Sequence, residues 1–317
     1  MLNNRDVTLD YIKGIGIILM IIGHSDFAFL YDGLLRHFIY SFHMPLFFLC
    51  SGYLYKRRDV SDAAKRLSLT SLYPYFIFSI IWLVLSMMYG TRTFLQGVED
   101  VLWASNNEKS RMFLSTTTAI GSIWFLFAFF WGKVCFNYIE SKTKKYVIVS
   151  FFISALAVLI ERYVNLPMSF LQGVSSTIFI AIGYYYKENR VNIYFVLICI
   201  VAWLFCLKYS YIELGSCSYG IYPLDVLGAC GGTILCYYIA KFMQKAKCTN
   251  AIAICGKYSL QLLCFHFLIT YLMERLSYGT IDPKLHSILF VILPFVVLGL
   301  YLIVPAMKWL FIIPIKK

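Results

Sequence analysis

Charge is scarce in this sequence. Only 14% of its 317 residues are Asp, Glu, Lys or Arg, where a soluble domain carries about 25%. So little charge leaves too little polar surface for a water-soluble globule. No two cysteines have the Cys-x-x-Cys spacing of a zinc or redox motif. The ten cysteines lie mostly inside apolar stretches and read as small packing residues, with no metal site expected. There is no internal repeat and no low-complexity tract. A cleavable signal is also missing: Arg5, Asp6, Asp10 and Lys13 lead into the first apolar run and no small-residue cleavage site follows it. That run is expected to remain as the first membrane span.

What is present is apolar surface. Hydrophobic residues make up 60% of the chain, and windows such as Leu69 to Met88, Val191 to Leu207 and Ile288 to Val304 approach the roughly 20 residues a bilayer demands of a helix. The pattern predicts an all-α, polytopic membrane bundle of about ten transmembrane helices, forming a single domain over 1–317. The spans fall near 11–31, 37–55, 69–89, 119–138, 146–164, 169–186, 192–210, 222–240, 256–274 and 286–306. The longest polar stretch, Gly90 to Thr118, has room for a short helix or a lid.

The net charge of +12 reads as topology rather than as a nucleic-acid surface. With the N-terminus in the cytoplasm, 19 Lys and Arg fall on that side and 8 on the other, Lys133 lying within the fourth span. Basic loops favour the cytoplasmic face. The expectation is therefore a multi-pass protein of the plasma (inner) membrane, with both termini cytoplasmic.

Ionisable groups at membrane depth are costly and mark candidate sites. His24, His43 and His266 qualify, whereas His37 and His286 sit near span ends. Lys13 and His24 are 11 residues apart, close to three helical turns, so they share a face about 16 Å apart along the axis. Gly14, Gly16 and Gly23 on the same span allow close approach of other helices. In the second span Pro45 removes a backbone hydrogen bond just after His43, at a depth similar to His24. Asp225 and Glu213 read as outer carboxylates, either lining a vestibule or, the favoured reading, simply solvated. Arg57, Arg58, Lys65 and Arg66 read as topology determinants.

Several segments carry a resemblance. Asp10-Tyr11-Ile12-Lys13-Gly14-Ile15-Gly16-Ile17, Gly23-His24, Phe42-His43-Met44-Pro45-Leu46-Phe47-Phe48 and Ser51-Gly52-Tyr53 are similar to the opening of the acyltransferase-3 family of membrane O-acyltransferases. Arg66 with Tyr73-Pro74-Tyr75, Trp124-Phe125-Leu126, and Lys257-Tyr258-Ser259-Leu260 before His266 extend it. Many members carry Arg where this chain has Lys13. The branch resembling sugar O-acetylases often has Lys-Gly-Ile-Gly there. Lysine is a point charge and does not offer a bidentate guanidinium.

The resemblance implies transfer of an acetyl or other acyl group from cytoplasmic acyl-CoA to a hydroxyl of a cell-envelope glycan or glycolipid, with no permanently bound cofactor. It places His24, and with it His43, at the catalytic centre. His24 would serve as general base or acyl relay. Lys13 and Arg66 would hold the donor. Asp10, Ser51, Tyr53, Trp124 and His266 would line the site, with Ser51, Tyr53, Trp124 and His43 as alternative oxyanion stabilisers. Two other classes stay open: a secondary transporter or exporter, and a silent ligand-binding membrane module. The short segment after the last span is expected to leave no room for a fused enzyme.

Overall fold

The structure, a computed structural model, describes residues 6–29, 33–106, 120–189, 191–246, 250–276 and 281–311. Among these the chain is helical almost throughout. In order, the α-helices are α1 Val7–Gly23, α2 Leu34–Tyr40, α3 His43–Tyr53, α4 Val60–Leu67, α5 Tyr73–Met88, α6 Phe94–Trp103, α7 Trp124–Lys142 and α8 Tyr146–Glu161. They continue with α9 Phe170–Ser175, α10 Thr177–Glu188, α11 Ile193–Tyr209, α12 Leu224–Lys245, α13 Ala251–Lys257, α14 Ser259–Leu276 and α15 Pro283–Ile303. Two short strands, β1 Ile212–Glu213 and β2 Ser218–Tyr219, pair antiparallel with Ile212 opposite Tyr219. The all-α class is the one adopted.

Four helical segments among the described residues are long and apolar enough to cross a bilayer: Val60–Met88, Gly121–Lys142, Leu224–Lys245 and Pro283–Ile303. The bent pair Ala251–Lys257 and Ser259–Arg275 makes a fifth if taken as one span. Among the described residues each of the ten spans drawn from the sequence overlaps helix, but several fall on shorter pieces and the first runs past the end of α1 at Gly23. The 37–55 segment is two helices, α2 and α3, and 169–186 is likewise two, α9 and α10. Length and composition by themselves thus identify four or five crossings, not ten. In the polar stretch after α5 a short helix does form. This is α6, opened by a capping box between Thr93 and Gln96. Residues 107–119, the rest of the possible lid, lie outside the described residues.

The chain divides into two compact units, one of 1–55, 178–214 and 218–260, the other of 56–177, 215–217 and 261–317. In the first, α1 packs against α3, α12 and α13, and α11 against α12. Leu9, Tyr11, Ile12, Phe42, Leu46, Trp203 and Cys236 form its buried core. The helices approach closely because glycine faces backbone. A Cβ on Gly14 would lie 2.0 Å from the Ile252 carbonyl oxygen, and one on Gly256 would lie 1.7 Å from that of Asp10. Gly52 and Gly183 make the same exchange between α3 and α10, against the carbonyls of Ile180 and Leu49. Small residues at helix contacts are what close packing in a bilayer requires.

In the second unit, polar side chains tie helices to the backbone of their neighbours. The Ser71 hydroxyl donates to the Leu126 carbonyl at 2.8 Å and Tyr75 to that of Val101 at 2.7 Å. Arg92 pairs with buried Asp100 at 2.9 Å. The described cysteines are all free thiols, buried or half-buried, as packing residues should be.

Candidate active site

α1 begins where Asp6 caps it, its carboxylate accepting from the amides of Thr8 and Leu9. The helix ends at Gly23, so His24 is its C-terminal cap rather than a residue within a longer span. The expected run to residue 31 is replaced by a 3-10 turn at Asp26–Phe29. His24 is exposed there. Its amide still donates to the Met20 carbonyl at 3.2 Å, which keeps the imidazole in line with the helix that carries Lys13.

Beside His24 stands Tyr40, the last residue of α2. Its hydroxyl lies 3.4 Å from His24 Nδ1, the tautomer deciding which atom donates, and the two rings meet edge to face at 5.9 Å. The Tyr40 ring also meets that of His43, tilted, at 4.9 Å. The Arg36 guanidinium sits over the same ring, 4.3 Å from its centroid. α2 is held in this position by Ile39, which packs against Gly23 of α1. Tyr40 and Arg36 were not singled out by the sequence. Their only signal is the spacing of Arg36 and Tyr40 on one face of a short helix.

His43 opens α3 and is buried. Its Nδ1 donates to the Ile39 carbonyl at 2.9 Å, leaving Nε2 as the basic nitrogen. Pro45 falls in the first turn of α3, where a missing N–H costs little. The break in the second span therefore lies earlier, at Ser41–Phe42. There the Ser41 hydroxyl accepts from Trp203 Nε1 at 2.8 Å and donates to the Phe38 carbonyl at 2.7 Å.

The remaining candidates are dispersed. Lys13 pairs with buried Asp10 at 3.0 Å, one turn away on α1, about three turns before His24. Ser51 is buried and its hydroxyl donates to the Phe48 carbonyl at 2.9 Å, while Tyr53 is exposed at the end of α3. Trp124, His266 and Arg66 belong to the second unit. Trp124 is buried at the start of α7 beside Gly215. His266 is buried on α14, edge-on to Phe290 at 5.1 Å. Arg66 is exposed on α4.

The expectation of a solvated Asp225 is overturned. It is buried, one oxygen accepting from the Ser210 hydroxyl at 2.6 Å and the other from the Ile221 amide at 2.7 Å. A carboxylate with two such bonds stabilises the loop between α11 and α12.

The first unit thus gathers an exposed imidazole, a phenol and a second, buried imidazole at one end of α1, with a cation about three turns back along that helix. A family model described as an acyltransferase domain matches residues 6–306. The chain is 31% identical over 141 residues to the nodulation protein NolL of Mesorhizobium japonicum, covering 40% of this chain and 34% of that protein. It is 49% identical over 59 residues to the nodulation protein NolL of Sinorhizobium fredii, covering 16% of each. The chain therefore spans about a third or less of the length of the curated relatives it matches. No solved structure matches it.

Proposed function

Given that this chain belongs to the acyltransferase-3 family, we propose that it moves an acetyl or other acyl group from cytoplasmic acyl-CoA to a hydroxyl of a cell-envelope glycan. His24 is the general base. The observation that carries the reading is the exposed imidazole capping α1, about three helical turns beyond a cation on the same helix. In the reaction, His24 takes the proton of the acceptor hydroxyl as its oxygen attacks the thioester carbonyl. The tetrahedral intermediate then expels the CoA thiolate, which recovers that proton from the imidazolium. Tyr40 holds the imidazole in place, and His43, being buried, acts on Tyr40 rather than on substrate. Ser51 has its hydroxyl proton engaged with Phe48, which weakens its claim as an oxyanion donor.

Lys13 is the donor-binding cation in this reading, held in position by Asp10. Lys13→Ala is expected to weaken acyl-CoA binding about tenfold, the equivalent of about 1.4 kcal/mol for one charge-assisted contact. Lys13→Arg should retain most of the affinity. Asp10→Asn separates donor binding from helix support, because it frees Lys13 without removing it. Unchanged acyl-CoA affinity in Lys13→Ala at low salt would reduce Lys13 to an interfacial anchor.

The reaction requires donor and acceptor on opposite faces of the membrane, and the basic asymmetry supplies the orientation. Reporter fusions should place Lys144 and Lys245 in the cytoplasm and Asp282 outside, in the plasma (inner) membrane. The same topology puts Glu108 outside and Lys317 inside, both of which lie outside the described residues. A reporter at Asp282 found inside would invert the C-terminal half of this topology.

A further inference from the structure

A cavity of about 490 Å³ lies within the first unit, among α2, the end of α11 and the segment that follows it. This is within the range of about 300–1,000 Å³ typical of small-molecule sites. Its wall includes Gly33, Arg36, His37, Tyr40, Lys208 and Tyr211. We propose that it is the acceptor subsite, and that it takes an acidic saccharide unit, a sugar ring bearing a carboxylate or phosphate. The proposal rests on the glycan-acylation reading above and names the class of acceptor.

Two observations converge on an anionic ring. Among the described residues the wall carries two cations, Arg36 and Lys208, and no carboxylate. Beside the wall, Glu213 accepts a hydrogen bond from the Tyr211 hydroxyl, which fixes that ring in place. An aromatic surface accompanies the cations: Tyr211 stacks on His37 at 6.4 Å, while the Tyr40 ring is covered by the Arg36 guanidinium. Apolar sugar faces stack on such rings, while a guanidinium offers a planar fork to carboxylate or phosphate.

The cavity's position fits the chemistry. Tyr40 is both a wall of the cavity and the residue in contact with His24. A sugar held there by its charge presents ring hydroxyls toward the catalytic imidazole. Gly33, with φ +79°, makes the tight left-handed entry to α2 that brings Arg36 and Tyr40 to this wall.

The test is equilibrium binding to purified full-length protein in phosphatidylcholine nanodiscs. The probes are a galacturonate disaccharide, a hexose 1-phosphate, a neutral disaccharide and inorganic phosphate. Either charged sugar should bind at least tenfold more tightly than both the neutral sugar and phosphate alone, less so at high salt. Lys208 is exposed, so Lys208→Gln should fold normally and weaken that binding about tenfold, with Lys208→Arg restoring it. Arg36→Gln should show the same loss. Equal binding of charged and neutral sugars would overturn the proposal. So would indifference to both substitutions, or displacement of the sugar by anionic phospholipid in the disc, which would make this a lipid-headgroup site. Protein that hydrolyses acyl-CoA but does not discriminate acidic sugars loses the subsite and keeps the enzyme. Protein that binds acidic sugars without consuming acyl-CoA does the reverse.

Discussion

His24→Ala is expected to lower glycan acylation by about 10²–10⁴-fold, the usual cost of removing a general base, while folded protein and acyl-CoA binding are largely retained. His24→Gln should be nearly as inactive, because an amide accepts a hydrogen bond but does not titrate usefully. The position of the residue makes this a clean experiment. His24 caps α1 at an exposed end, so its substitution leaves no buried hole. His43→Ala, by contrast, removes a buried ring packed against Tyr40 and combines any catalytic loss with a packing loss. Tyr40→Phe keeps both ring contacts and deletes only the hydroxyl that reaches Nδ1, so its loss should be much smaller than that of His24→Gln. Acylation measured per folded protein in the membrane separates these cases. More than about a tenth of wild-type transfer in His24→Gln would reject base and acyl-relay roles together, since both need a basic imidazole.

The second large effect is on stability. Gly256→Ala places a methyl group 1.7 Å from the Asp10 carbonyl oxygen, and Gly14→Ala places one 2.0 Å from that of Ile252. Both obstacles are backbone, so no side-chain rotation relieves them and α1 and α13 must separate. Overpacking of this kind costs about 1–3 kcal/mol or more, and here it also moves the helix that carries Lys13 and Asp10. Each variant should melt markedly earlier in detergent and yield little monodisperse protein. Gly299→Ala is the matched control, since nothing lies within 4 Å of its added methyl and alanine favours the helix. Wild-type melting of Gly256→Ala would show that the two helices are not in contact as described.

Helix content, and with it the placing of Lys13 about three turns before His24 along one helix, was legible in the sequence because it follows from local periodicity. The Asp10–Lys13 pair is equally local but was not drawn from the sequence. The breaks were not legible. Hydropathy windows average across Ser41–Phe42 and across Ser176, so two single spans were drawn where the chain forms helix pairs. The first pair is broken where Ser41 bonds Trp203, 162 residues away. The burial of Asp225 was hidden for a related reason. Its partners Ser210 and Ile221 come from the loop before its own helix, and no composition rule pairs them. Tyr40 and Arg36 were missed because their meeting with His24 depends on α2 folding back beside α1, a tertiary fact.

Transfer of label is the most direct test of the account. Purified wild-type protein in nanodiscs, given acyl-CoA radiolabelled in the acyl group and a polysaccharide acceptor, should move label onto the polysaccharide with release of one CoA thiol per acyl group transferred. Alkaline treatment should then release the label as the free acid, as expected of an O-ester. Movement of intact substrate across the membrane with no thiol released and no label on the acceptor would contradict the account and make the protein a transporter.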